Sequence, residues 1–338
     1  ASYYSINPAF IRFSSGTTGA SKGVLLSHES IHERTDAANH GLRMTSGDVV
    51  LWVLSMTFHF VVTILLFLRK GCTIVLCTSN FPLSLAEGLK HHGGTFIYAS
   101  PFHYHTLTSS GVIDPSALSG IRMAVSTAIQ LPADLAAAFH DKFHFCLSGA
   151  YGIIEVGLPF VNTSATLDRC TSVGQLLPDY QARIDNPNTD GVGDILIKGK
   201  GMFDAYLLPW LPRNEALQDG WFRSGDLGRF DSDGFLFILG RRNAVINFAG
   251  MKIFPQEVEE VLNQYPAVQE SLVYGVAHSR FGQLPCARII LDPAAAGDFD
   301  LSELRRFCFL KLASYKVPKE FQFVDQIEKT ATNKLRRV

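Results

Sequence analysis

Short apolar runs alternate with stretches of helical spacing through the first half of the chain. Residues 49–54, 72–77, 95–98, 121–125 and 143–147 are short and continuous enough to predict strands. Residues 83–91 and 132–139 place apolar side chains at helical spacing between them. From about Val173 to Leu239 the texture becomes turn-rich, with strand-like pieces at 194–197, 221–222 and 234–239, which predicts a mainly β subregion. Past Gly240-Arg241-Arg242-Asn243, read as a boundary, residues 255–264 form an amphipathic helix with acidic residues in its early turns. Residues 271–276 and 286–291 then read as strands and 301–312 as another helix. The expected fold is a large α/β domain over 1–240 with a β-rich subregion, followed by a small α+β C-terminal lid over 241–338.

With 338 residues, the chain has room for two domains. Thirty basic residues against 31 acidic ones give a formal charge of -1, so no global field draws it to nucleic acid or to an anionic membrane. Residues 49–68 carry no formal charge and mimic a membrane span in length. Ser55, Thr57 and His59 sit at its centre, where polar groups are most costly in lipid, so no membrane span is expected. Ala1-Ser2-Tyr3-Tyr4 is no basic segment followed by an apolar run, so no secretory signal is expected there. Six dispersed cysteines without a C-x-x-C pair fit the reduced thiols of a cytoplasmic protein.

The chemistry concentrates first in Ser14-Ser15-Gly16-Thr17-Thr18-Gly19-Ala20-Ser21-Lys22-Gly23, which follows the apolar Phe10-Ile11-Arg12-Phe13. Glycines admit backbone N–H groups close to oxyanions, hydroxyls add donors and Lys22 adds fixed charge, so the segment reads as a grip for a polyphosphate such as that of ATP. The spacing is neither a Walker loop nor a G-x-G-x-x-G turn. A flexible linker would not need two adjacent threonines and a lysine between glycines. The histidine pairs His91-His92 and His103/His105 lack acidic or cysteine partners at ligand spacing, so no metal is expected there.

Four more segments follow in order: Tyr151-Gly152-Ile153-Ile154-Glu155, then Gly220-Trp221-Phe222-Arg223-Ser224-Gly225-Asp226-Leu227-Gly228, then Gly240-Arg241-Arg242-Asn243 running into Gly250-Met251-Lys252-Ile253, and Asn333-Lys334-Leu335-Arg336-Arg337. With the Lys22 segment they resemble the adenylate-forming superfamily of acyl- and aryl-CoA ligases, luciferases and peptide-synthetase adenylation domains. The resemblance implies ATP-dependent formation of an acyl adenylate, with Mg2+ and coenzyme A as the further cofactors. It gives Ser14, Ser15, Gly16, Thr17, Thr18, Gly19 and Lys22 to the phosphates, with Thr18 and Lys22 catalytic. Gly149, Ala150, Tyr151 and Gly152 go to the adenine side, and Glu155 to Mg2+. Asp226, expected in a tight turn, is assigned the ribose hydroxyls, with Arg241 supporting the same sugar. Lys334 would bridge the reacting carboxylate and the α-phosphate, Asn243 would be the hinge and Gly250 would line a thiol channel. Asn333 and Asn243 depart from the residues usual at those positions.

The same resemblance splits residues 49–68 into strand, loop and helix and puts His59, beside Phe58, at the acid pocket. Ser126-Thr127-Ala128 stands where relatives usually carry two glycines and an alanine, a bulkier set that should narrow the site for an aryl or short acyl acid. No aspartate occurs between Trp52 and Leu68 to hold a substrate ammonium, which disfavours an amino acid. The acceptor could equally be a carrier-protein phosphopantetheine or an amine, and a non-catalytic nucleotide-binding module is the third reading. Familiar members carry a further portion ahead of the first motif. Together with a mean hydropathy of +0.13, that difference leads to the expectation of an apolar face shielded by a homo-oligomer or a partner chain.

Overall fold

The computed structural model describes residues 3–14, 22–249, 251–295, 297 and 299–329, with the backbone alone for Ser14, Thr57 and Phe58. The chain divides into two compact units, one of Ala1–Ser224 with Arg229–Ile238 and one of Gly225–Gly228 with Leu239–Val338.

In the first unit, β1 (Pro8–Ser14) and β2 (Lys22–Ser27) form an antiparallel hairpin. The central sheet follows, with β3 (Val49–Trp52), β4 (Thr73–Leu76), β5 (Phe96–Ala99), β6 (Met123–Ser126) and β7 (Ser148–Ile153) parallel to one another. Two antiparallel strands, β8 (Gly157–Val161) and β9 (Gln175–Leu176), extend it, in the order β4-β3-β5-β6-β7-β8-β9. All four residues of β5 are buried, which is why Phe-Ile-Tyr-Ala reads as an unbroken apolar run: helices cover both faces of a parallel sheet. Trp52, Phe67, Phe96, Tyr104, Phe139 and Phe160 are the bulkiest fully buried members of this core. The β-rich subregion contributes β10 (Tyr180–Asp185) and β11 (Gly193–Gly199), and β12 (Ala205–Tyr206) and β13 (Leu211–Pro212) continue the β1-β2 sheet. β14 (Phe222–Phe230) and β15 (Leu236–Arg241) complete the sheet β10-β11-β14-β15, and the chain passes between the two units within these strands.

The second unit pairs β16 (Ile246–Phe248) with β17 (Met251–Ile253), and β18 (Val268–His278) with β19 (Gly282–Leu291), which also carries β20 (Glu320–Phe323) in parallel. Helices Pro255–Leu262 and Leu301–Lys311 pack Val258, Leu262, Leu304 and Cys308 into its core. All six cysteines are free thiols. Among the described residues no helix is long and apolar enough to cross a membrane.

Three expectations need correction. Residues 143–147 are not a strand: helix Ala133–Phe143 runs through Phe143, whose ring lies 4.7 Å from that of Phe139 one turn earlier, and His144 closes it in the left-handed region at φ 63. The strand is β7, which begins at Ser148. Asp226 lies within β14 and not in a tight turn; Gly225 before it takes φ +76, a conformation common in turns. Residues 49–68 have almost no loop, since helix begins at Met56 and continues, with a π segment at Phe60–Ile64, to Arg69.

The edge of the central sheet opposite its carboxyl ends is stapled by polar side chains. Asp48, 4% exposed, precedes β3 and accepts from Arg122 Nε at 2.8 Å, Thr95 Oγ1 at 2.7 Å and Thr45 N at 2.8 Å. Thr95 and Arg122 stand just before β5 and β6, so the staple fastens three neighbouring strands. Burial pushes the Asp48 carboxyl up, but the bonds from Arg122, Thr95 and Thr45 outweigh it and hold the pKa at about 2. The folded pKa lies below the unfolded value, so this stabilisation is present above about pH 4 and is lost as pH falls through about 2. Linkage sets it at about 2 kcal/mol at neutral pH. Asp48→Asn is expected to lower unfolding free energy at pH 7 by that order and to flatten its decline between pH 4 and pH 2. Parallel acid-denaturation curves for the two proteins would refute the assignment.

Candidate active site

Antiparallel pairing sets Ser14 opposite Lys22, so β1 and β2 bring the two ends of the Gly-Thr segment side by side. The residues between them, including Ser15, Gly16, Thr17, Thr18 and Gly19, lie outside the described residues. Lys22 opens β2, and its Nζ stands 5.1 Å from the centre of the Tyr206 ring, a cation–π contact. Tyr206 reaches it because β12 pairs with β2, Tyr206 opposite Val24.

The Tyr206 hydroxyl donates to Glu155 Oε1 at 3.2 Å. Glu155 sits in the turn between β7 and β8, and its carbonyl accepts from Phe203 N at 2.7 Å. Burial and then the negative charge of Glu155 push the Tyr206 phenol far above the usual tyrosine range. Arg12 on β1 belongs to the same neighbourhood: burial lowers its pKa and Glu155 acts against that shift.

Arg34 supports the turn from beneath. It is fully buried on helix His28–Leu42, donating to Ile154 O at 3.0 Å and twice to Gly201 O, at 2.9 and 2.6 Å. Burial lowers its pKa to about 10, so it remains a cation. Gly149 must be glycine, because a Cβ there would meet Ser172 O at 2.4 Å. Ala150 and Tyr151 follow it on β7, both buried, with the Tyr151 ring 6.3 Å from that of Phe160. Gly152 is exposed.

The acid-side candidates gather at the carboxyl ends of β3, β5 and β6, the crevice where open α/β sheets bind ligands. Trp52 stacks on Tyr98 at 5.7 Å, and the His59 ring stands edge-on to both, 5.8 and 5.6 Å away. Burial pushes the Tyr98 phenol up to about 12, and a hydrogen bond with Thr127 works the other way. Ser126 ends β6 with its hydroxyl buried and unpartnered among the described residues, and Ala128 takes φ +78. His103 lies close by in sequence to β5, its Nδ1 2.8 Å from Ser100 Oγ, and burial lowers its pKa to about 4. Among the described residues no cluster of three metal-binding side chains occurs.

In the second unit Arg241 Nε meets Asp226 Oδ1 at 2.8 Å, and Asp226 is 5% exposed. Gly225 takes φ +76, a conformation that side-chain-bearing residues rarely adopt, although a Cβ there would meet Arg241 Nη1 only at an ordinary 3.7 Å. Asn243 lies in the 3-10 turn Arg242–Ala244, directly after β15. Gly250, between β16 and β17 in sequence, lies outside the described residues, as do Asn333 and Lys334 near the end of the sequence.

Residues 5–207 match the AMP-binding enzyme family and residues 257–334 its C-terminal domain. The chain belongs to the AMP-binding enzyme family. This member is 30% identical to the sulfoacetate–CoA ligase of Cupriavidus necator, over 98% of its own length and 66% of that enzyme's. It is 31% identical to the 2-succinylbenzoate–CoA ligase of Bacillus mycoides, covering 97% of this chain and 68% of the relative. Against the long-chain-fatty-acid–CoA ligase of Bacillus subtilis it spans 60% of the relative's length. The fold is similar to ATP-bound MatB from Rhodopseudomonas palustris, with a TM-score of 0.87, 27% identity, and 96% of this chain and 66% of that one covered. It is also similar to the o-succinylbenzoate CoA synthetase of Bacillus subtilis in complex with its acyl-adenylate intermediate, with a TM-score of 0.84, 28% identity and coverages of 97% and 67%. The adenylate-forming resemblance and the α/β fold with a small C-terminal domain are thereby borne out.

Sequence reasoning passed over Tyr206, Arg12, Arg34 and the Trp52–Tyr98 stack. None stands in a recognisable motif, and each enters the site through a contact made across the chain. A buried arginine on a polar helix is the one such signal a sequence carries, and only in retrospect.

Proposed function

We propose that this protein binds ATP, activates a small carboxylic acid as its acyl adenylate with release of pyrophosphate, and transfers the acyl group to the thiol of coenzyme A with release of AMP. The observation that carries the reading is the meeting of Lys22, Tyr206 and Glu155 beside the ends of the Gly-Thr segment. The CoA-ligase relatives support the same chemistry.

A carboxylate oxygen bonds to the α-phosphorus, the bond to the bridging oxygen breaks, and the electron pair leaves with pyrophosphate. Two anions must approach, so positive charge has to be fixed beforehand. Lys22 and Arg12 would supply it from this chain, joined, as the resemblance implies, by the Thr17 and Thr18 hydroxyls. Mg2+ fits the donor set: one carboxylate held by a neutral hydroxyl suits an ion that takes one or two carboxylates and completes its shell with phosphate oxygens. Glu155 would be that ligand, and Mg2+ when bound would offset charge on the phosphates. The Asp226–Arg241 pair would offer an oriented carboxylate to the ribose hydroxyls, and Tyr151 would take the adenine. Lys334 would carry its ammonium to the acid and the α-phosphate, with Asn243 the hinge and Gly250 beside the thiol.

The bulk of Ser126-Thr127-Ala128 beside the Trp52–Tyr98–His59 cluster supports a short acyl acid over an aryl one. The test is carboxylate-dependent exchange of labelled pyrophosphate into ATP across short acyl, aryl and amino acids, followed by thioester detection with coenzyme A. Exchange is expected with short acids, and Thr127→Gly should extend the range to bulkier ones. ATP binding without exchange for any acid in the panel would exclude the enzymatic reading.

A further inference from the structure

Tyr206 contacts both Lys22 and Glu155. Leu207 N donates to Gly23 O at 2.7 Å, and with Tyr206 opposite Val24 the ring shares a sheet face with Lys22, two residues before Val24. Asp204, just ahead of β12, accepts from Ser27 N and Ser30 Oγ, both at 2.7 Å, which ties this strand to the start of helix His28–Leu42. Phe203 packs against the Tyr206 ring at 4.7 Å and holds the Glu155 carbonyl through its own N–H. The ring and the hydroxyl therefore have fixed positions, with Lys22 on one and Glu155 on the other.

We propose that Tyr206 is a positioning residue: its hydroxyl orients the Glu155 carboxylate toward Mg2+ on the triphosphate, and its ring holds the Lys22 ammonium at the end of the Gly-Thr segment. This rests on the ATP-binding reading above. A neutral donor suits the task, because it restricts carboxylate rotation without cancelling the charge the metal needs, as an arginine would. Holding two long side chains before ATP arrives also reduces the rotamer entropy lost on binding.

Titration calorimetry of ATP binding to the intact protein, with no acid present, separates the two roles when run in EDTA and again in excess Mg2+. In EDTA, Tyr206→Phe keeps the ring and is expected to bind within about twofold of wild type, because the cation–π contact survives. Its Mg2+-dependent gain in affinity is expected to fall about tenfold, since a hydrogen bond to a charged group is lost. Tyr206→Leu, which removes the ring as well, is expected to weaken binding in both conditions. Circular dichroism and thermal melting confirm that each variant is folded. A residue that serves packing alone would lower affinity equally with and without Mg2+. Equal losses, or an unchanged Mg2+ gain in Tyr206→Phe, overturn the proposal while wild-type ATP binding leaves the functional reading standing. A wild-type protein that binds no ATP overturns both.

Discussion

Arg34→Met is expected to lower the unfolding free energy by about 2–4 kcal/mol, since each buried carbonyl left without a donor costs on the order of 1–3 kcal/mol. The carbonyls concerned are Gly201 O, which accepts two bonds, and Ile154 O. Methionine fills similar volume and needs no desolvation of charge, which returns part of the loss and sets the upper bound. Lysine keeps the charge but not the planar fork, so Arg34→Lys should recover little. Urea unfolding measures both. Because Ile154 directly precedes Glu155, the folded fraction of Arg34→Met should also lose part of its Mg2+-dependent ATP affinity. A loss of stability under about 1 kcal/mol would mean that water reaches these carbonyls in the variant.

The second large effect is expected at Asp226. Asp226→Asn should weaken ATP binding by roughly 10- to 100-fold, because charge-assisted bonds to the ribose contribute about 1.5–3 kcal/mol and each factor of ten is about 1.4 kcal/mol. The amide keeps one acceptor oxygen but loses the charge that fixes Arg241 Nε at 2.8 Å. Arg241→Ala should reproduce a smaller part of the loss, since it leaves the buried carboxylate in place but frees its orientation. Equilibrium titration with ATP, alongside a nucleotide lacking ribose hydroxyls, decides the matter. If both nucleotides lose affinity alike on substitution, Asp226 acts on something other than the sugar.

How legible the molecule was differs from element to element. β3, β5 and β6 announced themselves as short apolar runs because central strands buried on both faces carry few polar positions, whereas β4, at the sheet edge with Thr73 and Leu76 exposed, shows a similar run without that burial. Helix His28–Leu42 gave no such signal. Its buried face includes Ser30, Arg34 and Thr35 alongside Ala37, Ala38 and Leu42, so hydrogen bonds replace much of the apolar stripe on which periodicity depends. Residues 143–147 misled for the opposite reason: Phe139 and Phe143 form a helical pair that also looks like a strand's start.

Five ordered motifs in the sequence determined the family, the α/β layout with its small C-terminal part, and the residue types able to meet a nucleotide. Those features are local, because a phosphate-binding turn or a buried strand must be written in neighbouring residues. The tertiary structure alone decided that Tyr206 meets Lys22 and Glu155, that Arg34 holds the Glu155 turn, and that Asp226 pairs with Arg241 from within a strand. Such meetings depend on which strands pair and in what register, a property of the whole chain's packing that no single segment encodes.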